Sequence, residues 1–147
     1  MTEIGPATRD DHAAIESLLR ESDWGAVDLE VGEMLVARDD GEIVGVLRMG
    51  YLEPDGVFID DVVVSPSRRG AGIGREMMVA AMDGPTGPFF LVCHDPRIAF
   101  YERLGFSVIE EADLPDGVRK HAYRTDQLPS HPGHVHHLMR RDRGPSL

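Results

Sequence analysis

The segment VVVSPSRRGAGIGREMM, residues 62–78, decides how the rest of this chain is interpreted. Its valines are typical of a strand, and helical spacing begins near Gly74, so Gly70 and Gly72 lie in a strand-to-helix turn. The first N–H groups of a helix lack intrahelical partners and lie at the positive end of the helix dipole, and glycines let a ligand approach the backbone closely. The turn therefore predicts an anion site, to which Arg69 adds positive charge at the rim.

The common nucleotide-binding motifs do not explain this turn. The P-loop requires Lys and then Ser or Thr after its last glycine, but Gly74 is followed by Arg75 and Glu76. A dinucleotide fingerprint starting at Gly70 would require a third glycine at the position of Arg75. The remaining alternatives are a different anion or a glycine-rich connection that binds no ligand.

Hydrophobic spacing on both sides of this segment predicts a chain of mixed strands and helices around one central sheet. Strands are predicted at 4–8, on both sides of an Asp-Gly turn within 34–52, and at 57–64, 89–93, 106–110 and 134–141, and helices at 9–21, 72–82 and 95–104. Residues 22–33 are of mixed character, with room for a short helix. Residues 111–133 are predicted to form a long loop because they are rich in Asp, Pro, Gly and His, and 142–147 are predicted to form a frayed tail. We expect a single domain over residues 1–147.

Composition excludes several classes of protein. The 147 residues carry a formal net charge of −11, which argues against a nucleic-acid partner or an anionic membrane surface and weakly favours a cationic partner. No apolar run approaches the ~20 residues of a membrane span, and the N-terminus lacks the features of a signal peptide. Cys93 is the only cysteine, so no disulfide framework exists. These features predict a cytoplasmic protein.

Two motifs in this order resemble those of the Gcn5-related N-acetyltransferase (GNAT) family. The segment VSPSRRGAGIG, residues 64–74, resembles the family's V-x-P followed by R-x-x-G-x-G, its acetyl-CoA-binding motif. The segment AFYERLGF, residues 99–106, resembles the family's F-Y-x-x-x-G-F block. The resemblance covers most of residues 1–110 and implies an α/β (α+β) fold with a central mixed, mostly antiparallel sheet flanked by helices.

The resemblance also implies a cosubstrate and its binding residues. In the family, the pyrophosphate of acetyl-CoA lies on the backbone amides of the glycine turn, and the pantetheine arm bonds to the main chain of the preceding strand. The corresponding positions of this chain are Val62, Val63, Val64, Arg69, Gly70, Ala71, Gly72, Ile73 and Gly74. No metal is expected.

Tyr101 corresponds to the family tyrosine that protonates the departing coenzyme A thiolate. A free phenol titrates near ~10 and a thiol near ~8.5, so a phenol can deliver a proton at neutral pH as the C–S bond breaks. The alternative is that Tyr101 is an aromatic packing residue between Phe100 and Phe106.

The candidate general base is Asp60, because family members often carry a carboxylate or histidine on this strand. Strand alternation places Asp60 on the face of Val62 and Val64, with Asp61 on the opposite face. A carboxylate would need desolvation or a water relay to take a proton from an ammonium group. The alternative is that these acids recruit a cationic substrate or bond to neighbouring backbone.

One position departs from the family pattern. Family sequences often have an asparagine just before the second block, whereas this chain has His94 and Asp95. His94 is therefore a second candidate for a base or proton relay. Cys93 could serve as an acyl-accepting nucleophile, but its apolar neighbours favour packing in the core.

Three functions follow, in decreasing order of support. The first is an N-acetyltransferase that moves an acetyl group from acetyl-CoA to a primary amine of a small molecule, by direct transfer in a ternary complex. The second is a non-catalytic acyl-CoA-binding or regulatory module on the same fold. The third is a metal protein built on the histidines at 131, 134, 136 and 137, although no cysteine or spaced carboxylate completes such a site. The acidic stretch 28–33 could select an amine, and a homodimer is possible because dimers are frequent in the family.

Overall fold

The computed structural model describes residues 2–22, 33–130, 133 and 135–142. Within this part of the chain the elements are β1 Thr2–Pro6, α1 His12–Glu21, β2 Glu33–Asp39, β3 Glu42–Leu52, β4 Gly56–Val64, α2 Ile73–Met82, β5 Phe89–Cys93, α3 Ile98–Arg103, β6 Ser107–Ile109, α4 Asp116–Arg124 and β7 His137–Arg141. None of the described helices is both long and apolar enough to cross a lipid bilayer.

The seven described strands form one sheet in the order β1-β2-β3-β4-β5-β7-β6. The β1–β2, β2–β3, β5–β7 and β6–β7 pairs are antiparallel, and β4–β5 is parallel. The parallel pair registers 57–59 against 89–91. The expected fold class, a central mixed and mostly antiparallel sheet flanked by helices, is confirmed.

The described chain divides into two compact units, and the first contains Met1–Gly50 and Asp60–Asp83. One cluster of its core packs α1 against β2, β3 and β4 through Ile15, Leu18, Leu19, Val36, Val46 and Val63. A Cβ on Gly45 of β3 would lie 2.9 Å from Met77 Cε and 3.3 Å from Ile73 Cγ2, so this glycine gives α2 room to pack closely. Because neighbouring strand residues point to opposite faces, Val46 and Gly45 put α1 and α2 on opposite sides of β3.

The second unit contains Tyr51–Ile59 and Gly84–Leu147. Its core cluster joins the strands to α4 and the segments around it through Phe58, Phe90, Leu114, Val118, Ala122, Leu128 and Leu138. The expectation of a single domain over residues 1–147 stays a prediction.

The predicted loop at 111–133 is wrong, because it contains α4. Leu114, Val118 and Ala122 recur every four residues and are all buried, which is the spacing of one helical face. The start of α4 is also capped from a distance, since Gly117 N donates to Asp55 Oδ2 at 2.9 Å. This apolar spacing is hard to recognise in the sequence because the residues around it are polar and include Gly and Pro.

Other predicted elements are confirmed with shifted ends. The helices predicted from 9 and from 95 each begin with a 3-10 turn, so their α-helical parts start three residues later. The Asp40-Gly41 turn is confirmed, with φ of 51° and 82°. Most of the proposed short helix at 22–33, nearly all of the acidic stretch 28–33 and residues 143–147 lie outside the described residues.

Candidate active site

The glycine turn joins β4 to α2 in a left-handed conformation. Gly70 has φ +84°, and Gly72, the residue that precedes α2, also has φ +84°. A Cβ at either position would meet nothing within 4 Å, so these glycines are required by the backbone conformation and not by crowding. Glu76 N donates to Gly72 O at 3.0 Å and closes the first helical turn. The N–H groups of the helix that precede Glu76 have no intrahelical acceptor, which gives a surface suited to an anion.

The flanks of the turn are attached to β2 and β3. Ser65 N donates to Val44 O at 2.8 Å just before the 3-10 turn Pro66–Arg68. The Arg68 guanidinium forms an ion pair with Asp39 at the end of β2. After the turn, α2 begins at Ile73, which is 4% exposed and packs beside β3. The open turn is therefore held between fixed ends.

The two acids of β4 lie where alternation placed them. Asp61 shares the face of Val63, whose side chain is buried beneath α1. Arg48 Nε donates to Asp61 Oδ2 at 2.7 Å, and the two side chains are 15% and 11% exposed. The Asp61 carboxylate is thus committed to a largely buried ion pair. Asp60 is half-buried on the other face, and its role as a base stays a prediction.

Tyr101 is a buried residue of α3 in the second unit. Its ring makes edge contacts with Phe100 at 5.0 Å and with Phe106 at 6.0 Å between centroids. The predicted aromatic packing is therefore confirmed, and packing of the ring is compatible with a catalytic hydroxyl. The role of Tyr101 as an acid stays a prediction.

The glycine of the segment AFYERLGF, Gly105, is explained by the structure. Gly105 follows α3 with φ +91°, and a side chain there would overlap the guanidinium of Arg141 from β7. That guanidinium donates to Leu104 O and covers the end of α3. Glycine is required here by the backbone conformation, since the guanidinium is the flexible end of a side chain and can move.

The family assignment rests on a match over more than half of the chain. The model of a family described as an acetyltransferase (GNAT) domain matches residues 30–108. The chain belongs to the GNAT acetyltransferase family. That range contains the glycine turn, both acids of β4 and Tyr101.

One curated protein and several solved structures are also similar to this chain. A UPF0039 protein of Schizosaccharomyces pombe is 28% identical over 98 residues, covering 63% of this chain and 65% of that protein. The N-acetylglutamate synthase of Neisseria gonorrhoeae, complexed with coenzyme A and N-acetyl-glutamate, superposes with a TM-score of 0.77 and 24% identity, covering 99% of this chain but only 35% of that one. Nourseothricin acetyltransferase superposes with a TM-score of 0.68 and 22% identity, covering 98% and 99%. At these identities the two structural matches show the fold alone, and the chain spans less than two thirds of the length of the first two proteins.

His94 and Asp95 stand where GNAT sequences often have an asparagine, and their partners lie on β7 or just before it. The rings of His94 and His136 meet edge to face at 4.9 Å between centroids, and His137 Nε2 pairs with Asp95. From the sequence, His94 is a candidate base or proton relay, whereas His136 and His137 are candidates for a metal site. The β5–β7 pairing, which registers Cys93 opposite His137, is what brings them together. His131 and His134 lie outside the described residues, and the part of the chain that the structure describes contains no cluster of three or more His, Cys, Asp or Glu able to hold a metal.

Cys93 of this GNAT domain packs in the core, as its apolar neighbours indicated. Its Sγ lies 3.6 Å from Met139 Sδ, and the side chain is buried. Burial, reinforced by the charge of Asp95, raises the pKa of the Cys93 thiol to about 11. Because the thiolate is the nucleophilic form, this thiol is poorly suited to accept an acyl group.

Proposed function

We propose that this GNAT protein transfers an acetyl group from acetyl-CoA to a primary amine of a small molecule, by direct transfer in a ternary complex. The glycine turn is the observation that carries the proposal. Its two left-handed glycines, open Cβ positions and helix N-terminus suit the pyrophosphate of coenzyme A, which would bond to the backbone of Arg69–Gly74. The family match over residues 30–108 supports this assignment.

The pantetheine arm would bond to the backbone of Val62, Val63 and Val64. Ile59 is the last residue of β4 that pairs with β5, and β4 continues beyond this pairing to Val64. Val63 is fixed in the core beneath α1, so the backbone at this point is rigid. A rigid strand would hold the thioester at a constant distance from the turn that binds the pyrophosphate.

The transfer requires proton removal at the amine and proton delivery to the thiolate. The neutral amine nitrogen attacks the thioester carbonyl, the N–C bond forms, and the C–S bond breaks after collapse of the tetrahedral intermediate. Tyr101 donates its phenolic proton to the departing thiolate and is reprotonated from solvent. Asp60 takes the proton that the ammonium form of the acceptor loses before attack, directly or through water, with His94 as the alternative acceptor, and the second proton lost by the nitrogen on forming the amide passes to solvent.

The acceptor is proposed to be a small amine. The structure of N-acetylglutamate synthase contains coenzyme A and an acetylated amino acid, and nourseothricin acetyltransferase is named for a small molecule. A net charge of −11 favours an acceptor that is cationic before it binds.

Thermal unfolding with and without acetyl-CoA tests the cosubstrate. A ligand that binds only the folded protein at ~100 times its dissociation constant adds about 2.7 kcal/mol, which raises Tm by roughly 5–10 °C for a domain of this size. Gly72→Glu should abolish that shift because it places a strained, negatively charged side chain in the turn. Gly84→Glu is the matched control, since Gly84 also has a positive φ, +116°, and open space around its Cβ position. No shift for the wild-type protein at millimolar acetyl-CoA would refute the proposal.

Thiol release from acetyl-CoA, followed with a thiol reagent across a panel of amines, then tests the chemistry. An amine-dependent release confirms an acetyltransferase. Stoichiometric binding without release across the whole panel would instead indicate a non-catalytic acyl-CoA-binding module.

A further inference from the structure

The arginines around the glycine turn differ in what they contact. Arg69 is exposed, and its Nε donates to Val64 O at 3.3 Å. Arg75 is exposed in the first turn of α2. Arg68 instead pairs with Asp39 through Nη1, and its Nη2 lies 4.0 Å from Glu42 Oε2. Arg68 is therefore bonded to the β2–β3 hairpin, whereas Arg69 and Arg75 lie at the rim of the turn.

The ion pair between Arg68 and Asp39 joins two segments that are far apart in the sequence. Asp39 is the last residue of β2, and Glu42 is the first residue of β3. Arg68 is the last residue of the 3-10 turn that leads into the glycine turn. The hydrogen bond from Arg68 lowers the pKa of the Asp39 carboxyl, so the pair is ionised at neutral pH. The Arg68 and Asp39 side chains are 37% and 22% exposed, so solvent screens their attraction only in part.

We propose that Asp39 and Arg68 are positioning residues for the cosubstrate turn, a role that rests on the function proposed above. Neither residue touches acetyl-CoA. Their ion pair fixes the entry to the turn against the hairpin, while Ile73 fixes its exit against β3. The N–H groups between these ends are then held in place before the pyrophosphate arrives, so binding does not have to order them.

The direction in which Asp39→Asn changes the affinity for acetyl-CoA separates this role from the simplest alternative, which is that Arg68 itself binds a phosphate. If Arg68 bound a phosphate itself, Asp39 would compete with that phosphate, and Asp39→Asn would strengthen acetyl-CoA binding. Loss of one negative charge also strengthens binding of an anion slightly through the general field of the protein. A positioning role predicts the opposite result, weaker binding, because the turn loses its attachment.

The experiment measures the dissociation constant of acetyl-CoA by titration calorimetry for the full chain. Asp39→Asn and Arg68→Gln should each weaken binding by about three- to tenfold, as expected for loss of a charged hydrogen bond that is partly exposed. The double variant should be no weaker than either single variant, since each single change already breaks the pair. Asp39→Glu should retain most of the affinity. Asp142→Asn is the matched control, because it removes the same charge and breaks an exposed ion pair with Arg140.

Steady-state kinetics supply the second readout. The KM for acetyl-CoA should rise by the same three- to tenfold in Asp39→Asn, with kcat at saturation unchanged, since the reacting groups are untouched. Far-UV circular dichroism and Tm without ligand check that each variant is folded. A folded Asp39→Asn variant that binds acetyl-CoA as tightly as the wild type, or more tightly, would overturn the positioning role while leaving the proposed function intact. Failure of the wild type to bind acetyl-CoA would instead refute the function itself.

Discussion

Protonation of Asp11 at acidic pH should lower the stability of the first unit. The Asp11 side chain is 11% exposed, and its carboxylate accepts hydrogen bonds from Thr8 N at 2.7 Å and Thr8 Oγ1 at 3.1 Å. It also accepts a bond from Arg38 Nη2 at 2.5 Å. The bond from Arg38, followed by that from the Thr8 backbone, lowers the pKa of Asp11 from 3.8 to about 2.

The sign and size of the effect follow from this shift. Because the pKa is lower in the folded protein, the ionised carboxylate stabilises the fold above pH ~4, and the stabilisation is lost as pH falls toward ~2. This lowering of the Asp11 pKa corresponds to about 2 kcal/mol of unfolding free energy at neutral pH, after a discount for the partly exposed Arg38. About half of that contribution should be gone at pH 3.

Urea unfolding of the wild type and Asp11→Asn between pH 7 and pH 3 measures this contribution. We expect the variant to be about 2 kcal/mol less stable at pH 7 and the difference to fall to roughly 1 kcal/mol at pH 3. Asp10→Asn serves as the control, because Asp10 is the exposed neighbour in the same 3-10 turn. A difference between wild type and Asp11→Asn that does not change with pH would refute the reasoning, since it would place the effect in packing and not in charge.

Two further predictions concern the second unit. Tyr101→Phe should reduce kcat by about 100-fold or more at neutral pH, with the dissociation constant of acetyl-CoA unchanged, because the ring still packs while the proton donor is lost; unchanged turnover at every pH would remove the acid role. Gly105→Ala should destabilise the protein by roughly 1–3 kcal/mol, as expected for a strained left-handed residue, because the guanidinium of Arg141 is the end of a flexible side chain and can move away from the added methyl group. Gly84→Ala, which also lies at a positive φ but has open space around its Cβ position, should lose a similar amount of stability in urea unfolding; a much larger loss for Gly105→Ala would contradict the expected movement of Arg141.

Local patterns predicted most of the fold because they depend on the backbone preferences of a few neighbouring residues. The Asp40-Gly41 turn needs two residues that accept positive φ, and those residues are legible in the sequence. The glycine turn is likewise a local feature, since Gly70 and Gly72 adopt the conformation that glycine permits. The helix at 116–124 was missed because its apolar stripe is short, and one of its caps, Asp55, comes from 62 residues away.

By itself, the sequence determined the order of the main elements, the glycine turn and the two blocks that point to acetyl-CoA. Only the tertiary structure decided which charged groups are committed to a partner. Asp60 and Asp61 are adjacent and chemically identical, yet Asp61 is bonded to Arg48 across the sheet. Arg68 and Arg69 are adjacent residues of the same type, and only the structure shows that Arg68 pairs with Asp39 whereas Arg69 Nε donates to Val64 O. The physical reason is that backbone conformation is set by neighbours along the chain, whereas the partner of a charge is set by strand pairing between distant segments.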